Sequence, residues 1–273
     1  MSLKESRAQI GGIIDLLKHF SSESVHLLNI NEGGSGNSQD HRARLEKLAA
    51  ELMQLGFEVE ISFRSGHVAS AICDYADAQN ADFIILPWKT KMIVQRALLG
   101  NTVRDVIRLS NRPVAVYRAT RHSSKGATTG ISRIMYATAF KATDHVVMPY
   151  LQCDGIKADT LYLLNVGRRA PDPDAEKKRK ERVNKNLAKL AEQCRDCYER
   201  VEKIAVLGRP YKQILQKARS EAVDLIVAGK YDKASPFSSM LGSIAEHLPH
   251  RSPCSILIIP LESLAVTQNK NRQ

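Results

Sequence analysis

The residues best placed to do chemistry lie in DLIVAGKYDKASPFSSMLGSIAEHL, from Asp224 to Leu248. An apolar run ends at Gly229, a polar loop follows, and Gly242-Ser243 open a helical pattern. Backbone N–H groups turned toward an anion at a helix start make a phosphate cradle, and glycine permits the close approach and positive φ that this needs. Lys230 and Lys233 would add positive charge, and Ser243 a hydroxyl. Asp232 works against the cradle. A carboxylate about 4 Å from a phosphate charge costs roughly 1 kcal/mol in water and about 4 at an effective dielectric of 20. That is tenfold or more in affinity. The plainer reading is that Gly242-Ser243 only start a helix, with Ser243 as its cap.

Other groupings carry less chemistry. Cys194 and Cys197 form a CxxC, but no second pair completes a zinc site. The five scattered cysteines read as reduced thiols rather than a disulfide framework. His247 and His250 are interrupted by Pro249, which suits a helix end better than a metal pair. Trp88 and Lys89 follow a strand candidate, where ligands of open sheets bind; Trp88 either stacks on a base or covers the sheet edge. No GxSxG, HExxH or P-loop motif occurs, so no enzyme is expected, and no metal.

Composition is that of a globular protein, 43% hydrophobic and 25% charged over 273 residues. No apolar run is long enough for a spanning helix, and the start lacks a signal-peptide pattern, so a cytoplasmic location is expected. The net charge of +11 favours an anionic partner. The densest basic cluster, Lys177 to Arg182, sits in a long helical pattern with Asp172 and Asp174 as cap candidates. No aromatics interleave with these charges, so a solvated face is expected rather than a nucleic-acid surface.

The elements that must position these residues come in two copies. SGHVASAICDYADAQNADFIILPW (65–88) lies over LGRPYKQILQKARSEAVDLIVAGK (207–230). Gly66 falls on Gly208, Asp82 on Asp224 and Gly100 on Gly242, all at one separation. VHLLNINE (25–32) resembles LYLLNVGR (161–168), and RPVAVYR (112–118) resembles SPCSILIIP (252–260). Short apolar runs alternate with helical patterns, which argues for parallel sheets with helices on both faces. The division is a first unit at 1–120, a linker at 121–130, a second unit at 131–262 and a tail at 263–273. The second copy opens with the strand candidate RIMYATAF, whereas the first opens directly with SRAQIGGIIDLLKHF. In a doubly wound unit that first strand lies mid-sheet, so its absence leaves backbone groups unpaired where burial is deepest. Either another segment fills the gap, the tail ESLAVTQNKNRQ being one candidate, or the chain is a piece of a longer one.

These features resemble the universal stress protein family in a tandem form. The residues that carry the resemblance are ADFIILPW…LLGNTVRDVIRLSNRPVAVYR and VDLIVAGKYDKASPFSSMLGSIAEHLPHRSPCSILIIP. It implies two Rossmann-like doubly wound units of five parallel strands, paired through their last strands within the chain or in a homodimer. It also implies an adenine-nucleotide site built as strand, Gly, two residues, Gly, nine residues, Gly-Ser. In the second unit Gly229 and Gly242-Ser243 fit, while Asp232 replaces the second glycine. The family's acidic residue at the end of the first strand is Ala139 here, beside Thr138. The candidate binding residues are therefore Thr138, Gly229, Lys230, Gly242 and Ser243, with ATP or AMP as ligand in the second unit only. In the first unit Pro87 and Thr90 replace both early glycines.

Two functional readings follow. One is a soluble tandem stress-response protein with a regulatory, nucleotide-sensing role; the initial methionine and the lack of a spanning run favour it. The other is a cytoplasmic regulatory domain of a membrane transporter, a cation/proton antiporter or amino-acid permease, that does not hold nucleotide strongly. The chain also resembles such antiporter domains, and a basic module could sit against an acidic membrane face.

Overall fold

The apolar runs form strands walled by helices in a computed structural model that describes residues 13–31, 38–88, 96–118, 130–152, 156, 158–230, 248–249 and 251–261. The first unit contains helix α1 (13–19), β1 (Ser24–Asn31), α2 (Ser38–Gln54), β2 (Glu58–Ser65), α3 (Val68–Ala78), β3 (Ile84–Pro87), α4 (Arg96–Leu109) and β4 (Val114–Tyr117). The second contains β5 (Arg133–Thr138), α5 (Thr143–Leu151), β6 (Thr160–Gly167), α6 (Pro173–Gln193), β7 (Arg200–Leu207), α7 (Pro210–Ser220), β8 (Leu225–Lys230) and β9 (Ser255–Pro260). Most of the proposed linker lies outside the described residues.

Local chemistry explains the repeat. Gly66 and Gly208 end β2 and β7 at φ +126° and +140°, a region that favours glycine. Each N–H closes on the preceding parallel strand, Gly66 onto Asn31 O at 3.2 Å and Gly208 onto Gly167 O at 3.0 Å. The helix after each turn is amphipathic and buries small or branched residues: Ala69, Cys73 and Ala76 in α3, Ile214, Leu215 and Ala218 in α7. Helix α6 starts at Pro173 behind Asp172, whose carboxylate accepts the Ala175 N–H at 2.8 Å, as its sequence predicts. Its basic residues Lys177, Lys178, Lys180 and Arg182 are exposed, while Val183, Leu187 and Leu190 are buried.

The sheet topology shows the two units fused and the first one split. Seven strands run in the order β3-β4-β9-β8-β5-β6-β7. All neighbours are parallel except β4 and β9, which pair antiparallel from Val114–Ile258 to Val116–Ile256. The last strands of the two units thus pair with each other inside one chain. β1 and β2 form a separate two-stranded parallel sheet. In unit two, β5 lies between β6 and β8; in unit one the corresponding strands β1 and β3 face each other across a cavity of about 770 Å³. Among the described residues no strand lies between β1 and β3.

Candidate functional site

The ligand end of an open parallel sheet is the C-terminal edge of its strands. In unit two that edge is formed by Thr138, Gly167, Leu207 and Lys230, the last residues of β5 to β8. Thr138 is buried and bonded on every side. Its hydroxyl donates to the Asp144 carboxylate at 2.9 and 3.0 Å and accepts the Phe140 N–H at 2.9 Å. Its carbonyl accepts from Asn165 Nδ2 at 3.0 Å. Tyr136 also donates to Asp144 Oδ1, at 2.6 Å. Burial, then the Asp144 charge, pushes the Tyr136 hydroxyl above its ordinary pKa of 10.0, so it remains a donor. Asp144 sits in the first turn of α5, where the helix dipole favours an anion. The chain therefore supplies its own carboxylate beside the strand end.

Gly229 and Lys230 have structural work that the sequence did not reveal. A Cβ built on Gly229 would lie 2.5 Å from Thr143 Cβ and 3.0 Å from Cγ2 and Oγ1. The glycine lets the start of α5 pack onto β8, which accounts for its presence without a ligand. Lys230, expected to lend charge to a phosphate, is 2% exposed and points into the other unit. Its Nζ donates to the carbonyls of Arg108 at 2.8 Å and Ser110 at 3.1 Å, at the C-terminus of α4. A cation there satisfies carbonyls that lack helical partners and sits at the negative end of the helix dipole. This corrects the assignment of Lys230 to the nucleotide. Gly242, Ser243, Asp232 and Lys233 lie outside the described residues.

A second charged pair covers the end of β6. Glu176 accepts from Arg179 Nε and Nη2, both at 2.8 Å, and from the Ala170 N–H at 2.9 Å. The Arg179 guanidinium, followed by the Ala170 N–H, holds the Glu176 carboxyl well below its ordinary 4.5, at about 2. The guanidinium lies over Gly167, 3.0 Å from where a Cβ would stand.

In unit one the matching edge is closed by Trp88. Its ring packs on the core cluster and carries the Arg118 guanidinium 4.6 Å from the centroid. The Arg118 backbone N–H donates to Ser255 Oγ at 3.1 Å. Of the two roles open to Trp88, covering the sheet edge is the one its contacts support. Among the described residues no group of His, Cys, Asp or Glu is arranged to hold a metal ion. Cys73, Cys194 and Cys254 are free and buried, and burial raises their thiols to about 11, 11 and 12. Cys197 is disulfide-bonded, which corrects the expectation of reduced thiols throughout. No helix of the described residues is long and apolar enough to cross a membrane.

The described strands form two copies of one parallel α/β unit joined by their last strands, with a glycine, Gly229, near the end of the second copy's fourth strand. The universal stress protein family model matches residues 17–118 and 136–260, and the chain belongs to that family. A universal stress protein of Methanocaldococcus jannaschii is 22% identical over 143 residues, covering 50% of this chain and 88% of that protein. The crystal structure of a universal stress protein from Archaeoglobus fulgidus superposes with a TM-score of 0.67 at 19% identity, over 95% of this chain and 94% of that one. The cytoplasmic domain of a prokaryotic cation chloride cotransporter superposes with a TM-score of 0.50 at 13% identity, over 94% of each chain.

Proposed function

We propose that the chain is a regulatory scaffold of the universal stress protein type, without catalytic activity, and that its second unit holds ATP or AMP weakly or not at all. The observation that carries this reading is the Asp144 carboxylate. It occupies the strand end beside Thr143 and Gly229 and is held there by Tyr136 and Thr138. A second charge of the same sign entering this edge is opposed by roughly 1 to 4 kcal/mol. The Lys230 ammonium is directed into unit one, onto the Arg108 and Ser110 carbonyls, rather than toward this edge. Titration with ATP and with AMP, followed by calorimetry and by Trp88 fluorescence, should stay flat to about millimolar nucleotide. A saturable signal below that range would overturn the weak-binding part of the proposal.

A second reading gives the scaffold a membrane transporter as partner. It is favoured by the likeness in fold to the cotransporter's cytoplasmic domain over nearly the full length of both chains. The net charge of +11 suits an acidic membrane face in such an arrangement. Flotation with anionic vesicles tests the membrane contact: retention that fades as salt rises supports it, and no retention at low salt removes it.

A further inference from the structure

β7 ends the seven-stranded sheet, and among the described residues it bonds to β6 alone. The parallel ladder between them runs unbroken from Thr160–Arg200 to Gly167–Leu207. The Arg200 N–H closes on Asp159 O at 3.1 Å and the Gly208 N–H on Gly167 O at 3.0 Å, so the even-numbered residues turn their backbone groups to β6. Those of Val201, Lys203, Ala205 and Leu207 point the other way. Lys203 and Ala205 are exposed and Leu207 is 42% exposed, so this edge lies at the surface. A row of outward donors and acceptors is a template for one more strand.

The charges along the edge select that strand. Glu199-Arg200-Val201-Glu202-Lys203 reads negative, positive, neutral, negative, positive. Laid antiparallel on a second copy about Val201, every charge meets its opposite: Arg200 faces Glu202, and Glu199 faces Lys203. Tyr198 just before them is extended, so the chain enters the edge in a strand conformation. Val201 is an outward-facing residue, so its N–H and C=O meet those of the second Val201 in a hydrogen-bonded pair. Arg200 and Glu202 then occupy the closer, non-hydrogen-bonded pair, where side chains meet. A pairing centred on Lys203 would set that lysine against itself. One centred on Ala205 would set Lys203 against Leu207 and Glu202 against Gly208, with no opposite charge gained. The register about Val201 satisfies backbone and charge together. Arg200 and Glu202 lie 3.4 Å apart on their own strand with side chains 68% and 41% exposed, so both are within reach of a second copy.

Unit one supplies the contrast. At the repeated separation its edge strand β2 carries Glu58-Val59-Glu60 where β7 carries Arg200-Val201-Glu202. The same pairing about Val59 would bring Glu58 against Glu60, and like charges directly opposite deter association. An arginine in place of a glutamate thus separates a self-complementary edge from a self-repelling one.

We propose that two copies of this chain associate by antiparallel pairing of β7 about Val201, which joins their seven-stranded sheets and closes Arg200 and Glu202 of both copies into a ring of four alternating charges. The last strands β4 and β9 are paired with each other inside the chain, so a dimer needs a different edge. The inference stands apart from the nucleotide question, because self-association and nucleotide binding are separate measurements and either can fail alone.

Sedimentation equilibrium of the full chain tests it. At about 0.15 M salt, charges farther apart than about 8 Å are screened, which relieves the repulsion of two chains at +11 each and spares pairs in contact. A monomer–dimer equilibrium should appear with a midpoint of at most about 100 μM. Arg200→Glu, which gives β7 the charges of β2, and Glu202→Arg should each weaken association about tenfold or more. Mixed together, the two variants should pair with each other about as well as the unaltered chain pairs with itself, because every charge again meets its opposite. The double variant Arg200→Glu/Glu202→Arg should pair with itself for the same reason. Circular dichroism checks that each variant folds. Three results overturn the proposal: a monomer up to about 1 mM chain, a dimer indifferent to Arg200→Glu, or no recovery in the mixture and the double variant. The second would place the dimer on another surface. Should a single variant fail to fold, the double variant and the remaining single variant decide.

Discussion

Leu27-Leu28-Asn29 in β1 and Leu163-Leu164-Asn165 in β6 are the same three residues at the same place in two copies of one unit. In β6 both leucines are fully buried, at 0% exposure, whereas in β1 both are only half-buried. The next pair of counterparts repeats the contrast. Val227 and Ala228 of β8 are sealed, while Ile85 and Leu86 of β3 are half-open. The strands themselves do not differ enough in sequence to cause this. What differs is the neighbour: β6 and β8 share β5, and β1 and β3 share a slot. Burial of a strand in a parallel sheet is thus a property of the strands beside it as much as of its own residues.

The comparison can be broken most directly by cutting back the matched leucines. Leu164→Ala should cost roughly 3 kcal/mol and Leu28→Ala only about 1, read from urea unfolding of each variant. Equal losses would mean that the slot is not a gap in burial at all. Next in size is Gly229→Ala. Its new methyl would meet Thr143, so a loss of about 2 kcal/mol is expected, much of it recovered when Thr143→Gly is added. Recovery in the double variant identifies packing, rather than a ligand, as what requires the glycine. Lys230→Met removes the ammonium from the Arg108 and Ser110 carbonyls and should cost about 1 to 2 kcal/mol, again by urea unfolding. A neutral result would detach the two units energetically.

The smallest expected effect is at Glu176, where pH sharpens the view of unit two. Its carboxyl titrates near 2 in the folded chain against an ordinary 4.5, so the stability it contributes is present above about 4.5 and is lost as pH falls toward 2. Glu176→Gln should therefore flatten the acid side of the stability profile between those values while leaving its shape at neutral pH unchanged. Thermal melts across that range measure it. An unaltered acid limb would show that the pair with Arg179 has no effect on folding.

Much of this architecture was readable in the residues. Gly66 and Gly208 mark the same positive-φ turn, Asp172 marks the start of α6, and the runs around Ile84 and Ile226 mark buried strands. The family resemblance implied pairing of the last strands, within the chain or in a homodimer, and the structure makes it within the chain, β4 with β9. The site was less legible. Lys230 stands beside the motif glycine in sequence, but a side chain on a strand points to one face or the other according to what packs there, and the α4 carbonyls took it. Asp144 went unnoticed because a carboxylate in a first helical turn is an ordinary capping feature. Its meaning came only when Tyr136 and Thr138 converged on it. A Thr138-to-Asp144 spacing across a strand-to-helix turn was the one signal available.

The residues alone determined that the chain is two copies of a parallel α/β unit, because periodicity and glycine placement are local properties repeated along the chain. Tertiary structure decided where the charges went and what lies between β1 and β3. Charge pairing and cavity shape depend on groups far apart in the chain, such as Lys230 with Arg108 or β1 with β3, and no window of sequence contains both partners.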